Sequence, residues 1–162
     1  MVDVIVDGTM QKQKGFSLIE LLIVVAIILI IAAIAIPNFM KSKIAANEAS
    51  AVGSVRTINT SEIAFASACP DQGFTGTIAD FATGAATCPG ASGLLDSPLV
   101  TLSKSGYAFT LASAGATPRT AYTINADPLT ASSGTRYFFS DESNMIHYKT
   151  GGAAGPADSA LQ

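Results

Sequence analysis

Charge is scarce in this chain of 162 residues. Only 13 % of positions are Asp, Glu, Lys or Arg, and the formal net charge is −3. A nucleic-acid surface needs a stripe of cations, and a peripheral membrane patch needs a polybasic cluster; the chain has neither. Its longest basic cluster is Lys41-Ser42-Lys43. Histidine is limited to His147, and cysteine to Cys69 and Cys88. Two cysteines cannot complete a four-ligand zinc site unaided, and the histidine lies far along the chain. No nucleophile, base and orienting group stand at informative spacing, so the expectation is a protein that is not an enzyme, with no catalytic residue, metal or cofactor. Phe16, Phe39 and Phe65 are the only aromatic residues before position 70. A stacked aromatic path along that segment is therefore not indicated.

The chain is instead rich in uninterrupted hydrocarbon near its start. Between Leu18 and Ile36 every residue is apolar except Glu20. As a helix, Phe16 to Ile36 would be roughly 31 Å long, which matches the hydrocarbon thickness of a bilayer. It is apolar all round, unlike an amphipathic surface helix. A secretory signal has an apolar core of only about 7–15 residues followed by a small-residue cut site. This run is longer, and Pro37-Asn38-Phe39 lacks that pattern. A plain membrane anchor fits the length but leaves Glu20 unexplained, because a central carboxylate costs up to roughly 3 kcal/mol by insertion scales.

Lys14-Gly15, then Phe16, the pattern FSLIELLIVVAI and then IAAIAIP resemble the class III signal of bacterial type IV pilins and their relatives, the pseudopilins. The resemblance covers roughly residues 12 to 40. It implies that a prepilin peptidase cuts between Gly15 and Phe16 on the cytoplasmic side and that the new amino-terminal Phe16 is N-methylated. It also implies that Glu20 pairs with the terminal ammonium of an adjacent subunit. Physically, removing the leader leaves an ammonium on Phe16, and Glu20 follows four residues later on the same helix face. A carboxylate in a low-dielectric bundle needs such a partner, whereas apolar attraction alone sets no axial register. The leader, MVDVIVDGTMQKQKG, is long for the family. Met10 would start a compact basic alternative, MQKQKG. Many pilins carry a glycine about eight residues before the proline, where this chain has Leu29, so helix melting there is not carried over. A kink or opening near Ala33 to Pro37 is expected, because proline removes a helical hydrogen bond and collides with the preceding turn.

Beyond Pro37 the chain reads as a continued helix to Ala68, with Ile44, Ala51, Val55, Ile58 and Phe65 forming one apolar stripe. Cys69-Pro70 ends it, since a residue before proline avoids the helical region. A Cys69–Cys88 disulfide would close a loop of about 20 residues and contribute roughly 3 kcal/mol in the chain-entropy account. The alternative is two buried thiols. Residues 70 to 98 are turn-rich, with a short helical turn near Ile78 to Ala82. GYAFTLASA, RTAYTINAD, TRYFFSD and MIHYKT then read as four strands separated by turn residues. Many pilins place their disulfide near the carboxyl terminus, and this chain has no cysteine there. His147 is read as a strand residue, and Asp141 and Glu142 as a hairpin turn rather than a calcium loop. Asn59-Thr60-Ser61 is set aside as a glycosylation site.

The expected architecture is α+β, a type IV pilin fold in which one long helix packs by its second half on a small antiparallel meander. The expected divisions are a leader, 1–15, that is removed; a protruding apolar helix, 16–54; a head, 55–150; and a loose tail, 151–162. The expected function is a major structural subunit of an extracellular type IV pilus, serving adhesion, motility or DNA uptake without a direct nucleic-acid site. Its partners would be copies of itself in a helical filament, the prepilin peptidase, the inner membrane before assembly and the pilus assembly machinery. The alternatives are a pseudopilin of a type II secretion system and a membrane-anchored binding domain.

Overall fold

The computed structural model describes residues 15–83, 88–91, 93–95 and 97–161. The leader up to Lys14, and with it the alternative start at Met10, lies outside the described residues.

Helix α1, Leu18–Ala68, is continuous over 51 residues. Its ladder opens where the Leu21 amide donates to the Ser17 carbonyl at 3.2 Å, so Phe16 lies just ahead of the first turn. Helical backbone runs through Pro37. Proline deletes only the one bond that would reach the Ala33 carbonyl. The Asn38 side-chain amide donates to the Ile34 carbonyl at 3.1 Å. The helix ends at Cys69-Pro70, as the pre-proline rule requires.

The chain divides into two compact units, Met1–Asn38 and Phe39–Gln162. The first contains the apolar half of α1, whose large side chains from Phe16 to Ile36 are exposed. The second contains the rest of α1 and the head. Burial on α1 begins at Glu48 and Ala51 and continues through Val52, Val55, Ile58, Glu62 and Phe65. The packed half of the helix therefore starts before residue 55. This is the 3.6-residue stripe read from the sequence, extended by two acids.

After α1 come α2, Ala79–Thr83, a 3₁₀ turn, Pro89–Ala91, and α3, Ser97–Val100. Six antiparallel strands follow in chain order: β1, Ser103–Lys104; β2, Tyr107–Ala114; β3, Ala121–Pro128; β4, Arg136–Asp141; β5, Ile146–Thr150; and β6, Ser159–Ala160. Four are the expected strands; β1 and β6 are additions. The tail is not loose: β6 pairs with β5, Ala154 is buried, and the Leu161 amide donates to the Ile146 carbonyl at 2.7 Å.

Alternation puts Tyr107, Phe109 and Leu111 of β2 and Tyr122, Ile124 and Ala126 of β3 on the buried face. They form one core with Phe138, Ile146 and the α1 stripe, closed at one end by Ile78, Phe81, Leu95 and Leu99. Gly134 is demanded by a close approach, since a Cβ there would overlap the Tyr107 ring and hydroxyl. That hydroxyl donates to the Arg136 carbonyl at 2.8 Å.

Candidate assembly surface and its anchors

The most distinctive surface is the apolar half of α1. Its most hydrophobic stretch has no buried residue, and it is long and apolar enough to cross a membrane. In water such a surface is unfavourable by roughly 25 cal/mol per Å² of apolar area. Glu20 lies in its first turn, exposed, and no described residue bonds its carboxylate. Phe16, 75 % exposed, precedes it. The structure thus places the two sequence-predicted assembly residues at the amino-terminal end of α1, both exposed.

The head side of α1 carries acids in the opposite condition. Glu48 is buried. Its Oε1 accepts from the Thr135 amide at 2.9 Å, the Thr135 hydroxyl at 3.0 Å and the Arg136 amide at 3.2 Å. Its Oε2 accepts from Arg136 Nε at 2.7 Å. Burial raises the pKa of this carboxyl, but the bonds from Thr135 and Arg136 outweigh that and hold it below its ordinary value. Glu62 is fully buried and accepts one bond, from the Thr75 amide to Oε2 at 2.9 Å. Its Oε1 has no hydrogen-bond partner. Burial, with Asp80 adding to it, pushes its pKa up to about 8 against the opposing pull of the Thr75 amide and Arg119. Between these acids, Asn59 Nδ2 donates to Ser140 Oγ at 2.8 Å and its Oδ1 accepts from the Tyr122 hydroxyl at 3.0 Å. Asn59 is thus a buried polar link between α1 and the sheet.

Glu48 and Glu62 were missed as anchors in the sequence. The available signal was their spacing: both fall on the stripe of Ala51, Val55, Ile58 and Phe65, where a solvated acid has no place.

The loop after α1 is fastened at several points. Cys69 and Cys88 form a disulfide, and both are buried. The Phe74 amide donates to the Arg119 carbonyl at 3.0 Å, and the Arg119 amide to the Gln72 carbonyl at 2.8 Å. Ser61 Oγ donates to the Leu94 carbonyl at 2.9 Å. His147 lies in β5 with Nδ1 2.8 Å from the Asp158 carbonyl, and Asp141 shapes the β4–β5 turn by accepting from the Ser143 amide at 3.0 Å. Among the described residues no group of three or more His, Cys, Asp or Glu could hold a metal ion.

Residues 10–36 match the family model for the prokaryotic N-terminal methylation motif. The type IV major pilin protein PilA of Myxococcus xanthus is 46 % identical over 54 residues, covering 33 % of this chain and 24 % of that protein. The type IV wide pilus major component PilA4 of Thermus thermophilus is 56 % identical over 39 residues, covering 24 % and 30 % respectively. A fimbrial protein of Pseudomonas aeruginosa is 51 % identical over 51 residues, covering 32 % and 33 %.

The amino-terminal third of the chain is similar to type IV pilins.

The aligned segments span only about a quarter to a third of the length of these curated relatives. No solved structure matches the chain. The fold of this chain is α+β, one long amino-terminal helix packed on an antiparallel sheet. Its methylation motif encloses Gly15, Phe16 and Glu20, the residues at the exposed end of α1. Its disulfide joins the end of α1 to the loop that follows, not the carboxy-terminal region.

Proposed function

We propose that this chain is a type IV pilin, a body-forming, major subunit of an extracellular filament, made as an inner-membrane precursor. In this reading the peptidase cuts between Gly15 and Phe16, Phe16 is N-methylated, and the assembly machinery draws the subunit from the membrane into the filament. The filament then serves adhesion, motility or DNA uptake. One observation carries the reading: a helix half that is exposed and apolar all round, interrupted by a single acid in its first turn, inside a methylation motif. In the membrane, lipid covers that surface. In a filament, neighbouring copies cover it, and Glu20 receives the ammonium of the next Phe16. The apolar contact supplies attraction, while the charge pair selects register, because any other offset buries Glu20 unpaired.

The test is to shear cells, collect the released material and image it with an antibody against the head. Long labelled filaments whose subunit begins at N-methylated Phe16 by mass spectrometry are expected. A protein confined to the membrane fraction would defeat the proposal and point to the secretion pseudopilin or an anchored binding domain.

A further inference from the structure

Arg56 and Arg136 line one cleft of about 350 Å³ on the flank of α1, with Glu48, Ala49, Val52 and Leu161 around them. Arg136 is held in place. Its Nε donates to Glu48, its guanidinium carbon lies 5.6 Å and 5.5 Å from the ring centroids of Phe138 and Tyr148, and its side chain is 35 % exposed. Arg56 is exposed, and no described residue forms a hydrogen bond or ion pair with its guanidinium. The cleft therefore has two cations against one carboxylate at one part of its lining and hydrocarbon along the remainder. That combination fits an acidic side chain with an apolar neighbour.

The β4–β5 tip of the head offers that combination. Asp141 Oδ1 accepts from the Ser143 amide at 3.0 Å and the Ser143 hydroxyl at 2.5 Å. The Asn144 amide donates to the Asp141 carbonyl at 2.9 Å, and Ser140 Oγ donates to the Met145 carbonyl at 2.9 Å. The turn is thus built before any contact, which lowers the entropy cost of docking. It presents Glu142, exposed and with no side-chain partner among the described residues, beside Met145, which is 51 % exposed. Asp71 is another exposed acid, but its neighbours are Pro70 and Gln72 and no exposed large apolar side chain adjoins it.

We propose that the β4–β5 tip of one copy seats in the α1 flank cleft of the next. Glu142 faces Arg56 and Arg136, and the Met145 thioether lies against Ala49, Val52 and Leu161. Tip and cleft are different surfaces, so the contact is head-to-tail and propagates as an open polymer when its rotation does not close. This deepens the filament reading and rests on it: the apolar helices hold the copies together, and the tip-in-cleft contact sets how adjacent heads face one another.

The experiment uses the full mature chain in two arms. In the first, Arg56→Glu and Glu142→Arg each lower sedimentable filament roughly tenfold by setting like charges together, and the double exchange restores most of it. Unchanged circular dichroism shows that the heads still fold. In the second, p-benzoylphenylalanine at position 145 is photolysed in cells, and crosslinks to the peptide spanning residues 45–56 of another copy are sought. Filaments that form normally with either single exchange, or singles that the double exchange does not rescue, overturn the tip-in-cleft contact. Abundant parent filaments without the crosslink do so too. The crosslink in cells whose parent chain makes no filament would overturn the filament reading and keep the contact.

Discussion

The two halves of α1 are one helix in two different environments. From Leu18 to Ile36 its large side chains are exposed and its single acid, Glu20, has no hydrogen-bond or ion-pair partner among the described residues. From Glu48 to Phe65 one stripe is buried, and the acids on it are answered unequally: Glu48 by four hydrogen bonds, Glu62 by one. The difference teaches where each carboxylate's counterpart resides. That of Glu48 is in the same chain. Glu62 is answered in large part by a proton. The counterpart proposed for Glu20 lies on another copy. A buried acid without any of these three solutions costs several kcal/mol.

The comparison breaks most completely at Glu20. Glu20→Ala is expected to abolish or scramble filament assembly while leaving cleavage after Gly15 intact, read by shearing yield and precursor size. Normal yield would refute the register mechanism. Next in size is Glu48→Ala, which strands Arg136 and two amides and should cost the head about 3 kcal/mol. Urea unfolding of the mature chain in detergent measures it, and filament chemistry at Phe16 should be untouched.

Glu62→Gln sharpens the contrast through pH. The native head holds the Glu62 proton up to about pH 8, whereas the unfolded chain releases it near its ordinary value of 4.5. Between those values the folded state binds more protons, so stability falls as pH rises, and the loss is complete above the folded pKa. The substituted protein should lack this slope. Parallel curves for the two proteins across that window would place the proton elsewhere. The smallest effect is expected in the apolar half. Leu29→Gly should loosen the helix by about 1 kcal/mol, seen as faster amide exchange around residues 26–33 with no change in head stability.

Much of this fold was legible because it is written in period. The stripe of Ala51, Val55, Ile58 and Phe65 announces a packed helix, and the alternation in YAFTLASA and AYTINAD announces strands. The disulfide followed from two cysteines bracketing a loop. Strands β1 and β6 were not legible, since two residues carry no period and their pairing depends on β2 and β5 being in place. The same holds for Leu161, whose burial needs Ile146 as a neighbour. Pro37 lies inside the helix, since proline deletes a single bond and leaves the ladder on either side in place. Of the candidate assembly surface, Glu20 stood out against its apolar surroundings and Phe16 by following Lys14-Gly15. Glu48 and Glu62 carried only the signal of their place on the apolar stripe, and their partners, Arg136 and Thr75, could not be read from that spacing.

The sheet order of the head repeats its chain order from β1 to β6. No strand has to wait for a partner made much later, and no crossover has to thread past another. Contacts between sequence neighbours lower the loop-closure cost of each successive pairing. A head of this topology can therefore grow by adding one hairpin after another onto a helix that is already formed. For a chain delivered from its amino terminus onward, each strand of the sheet after the first arrives next to a partner already made.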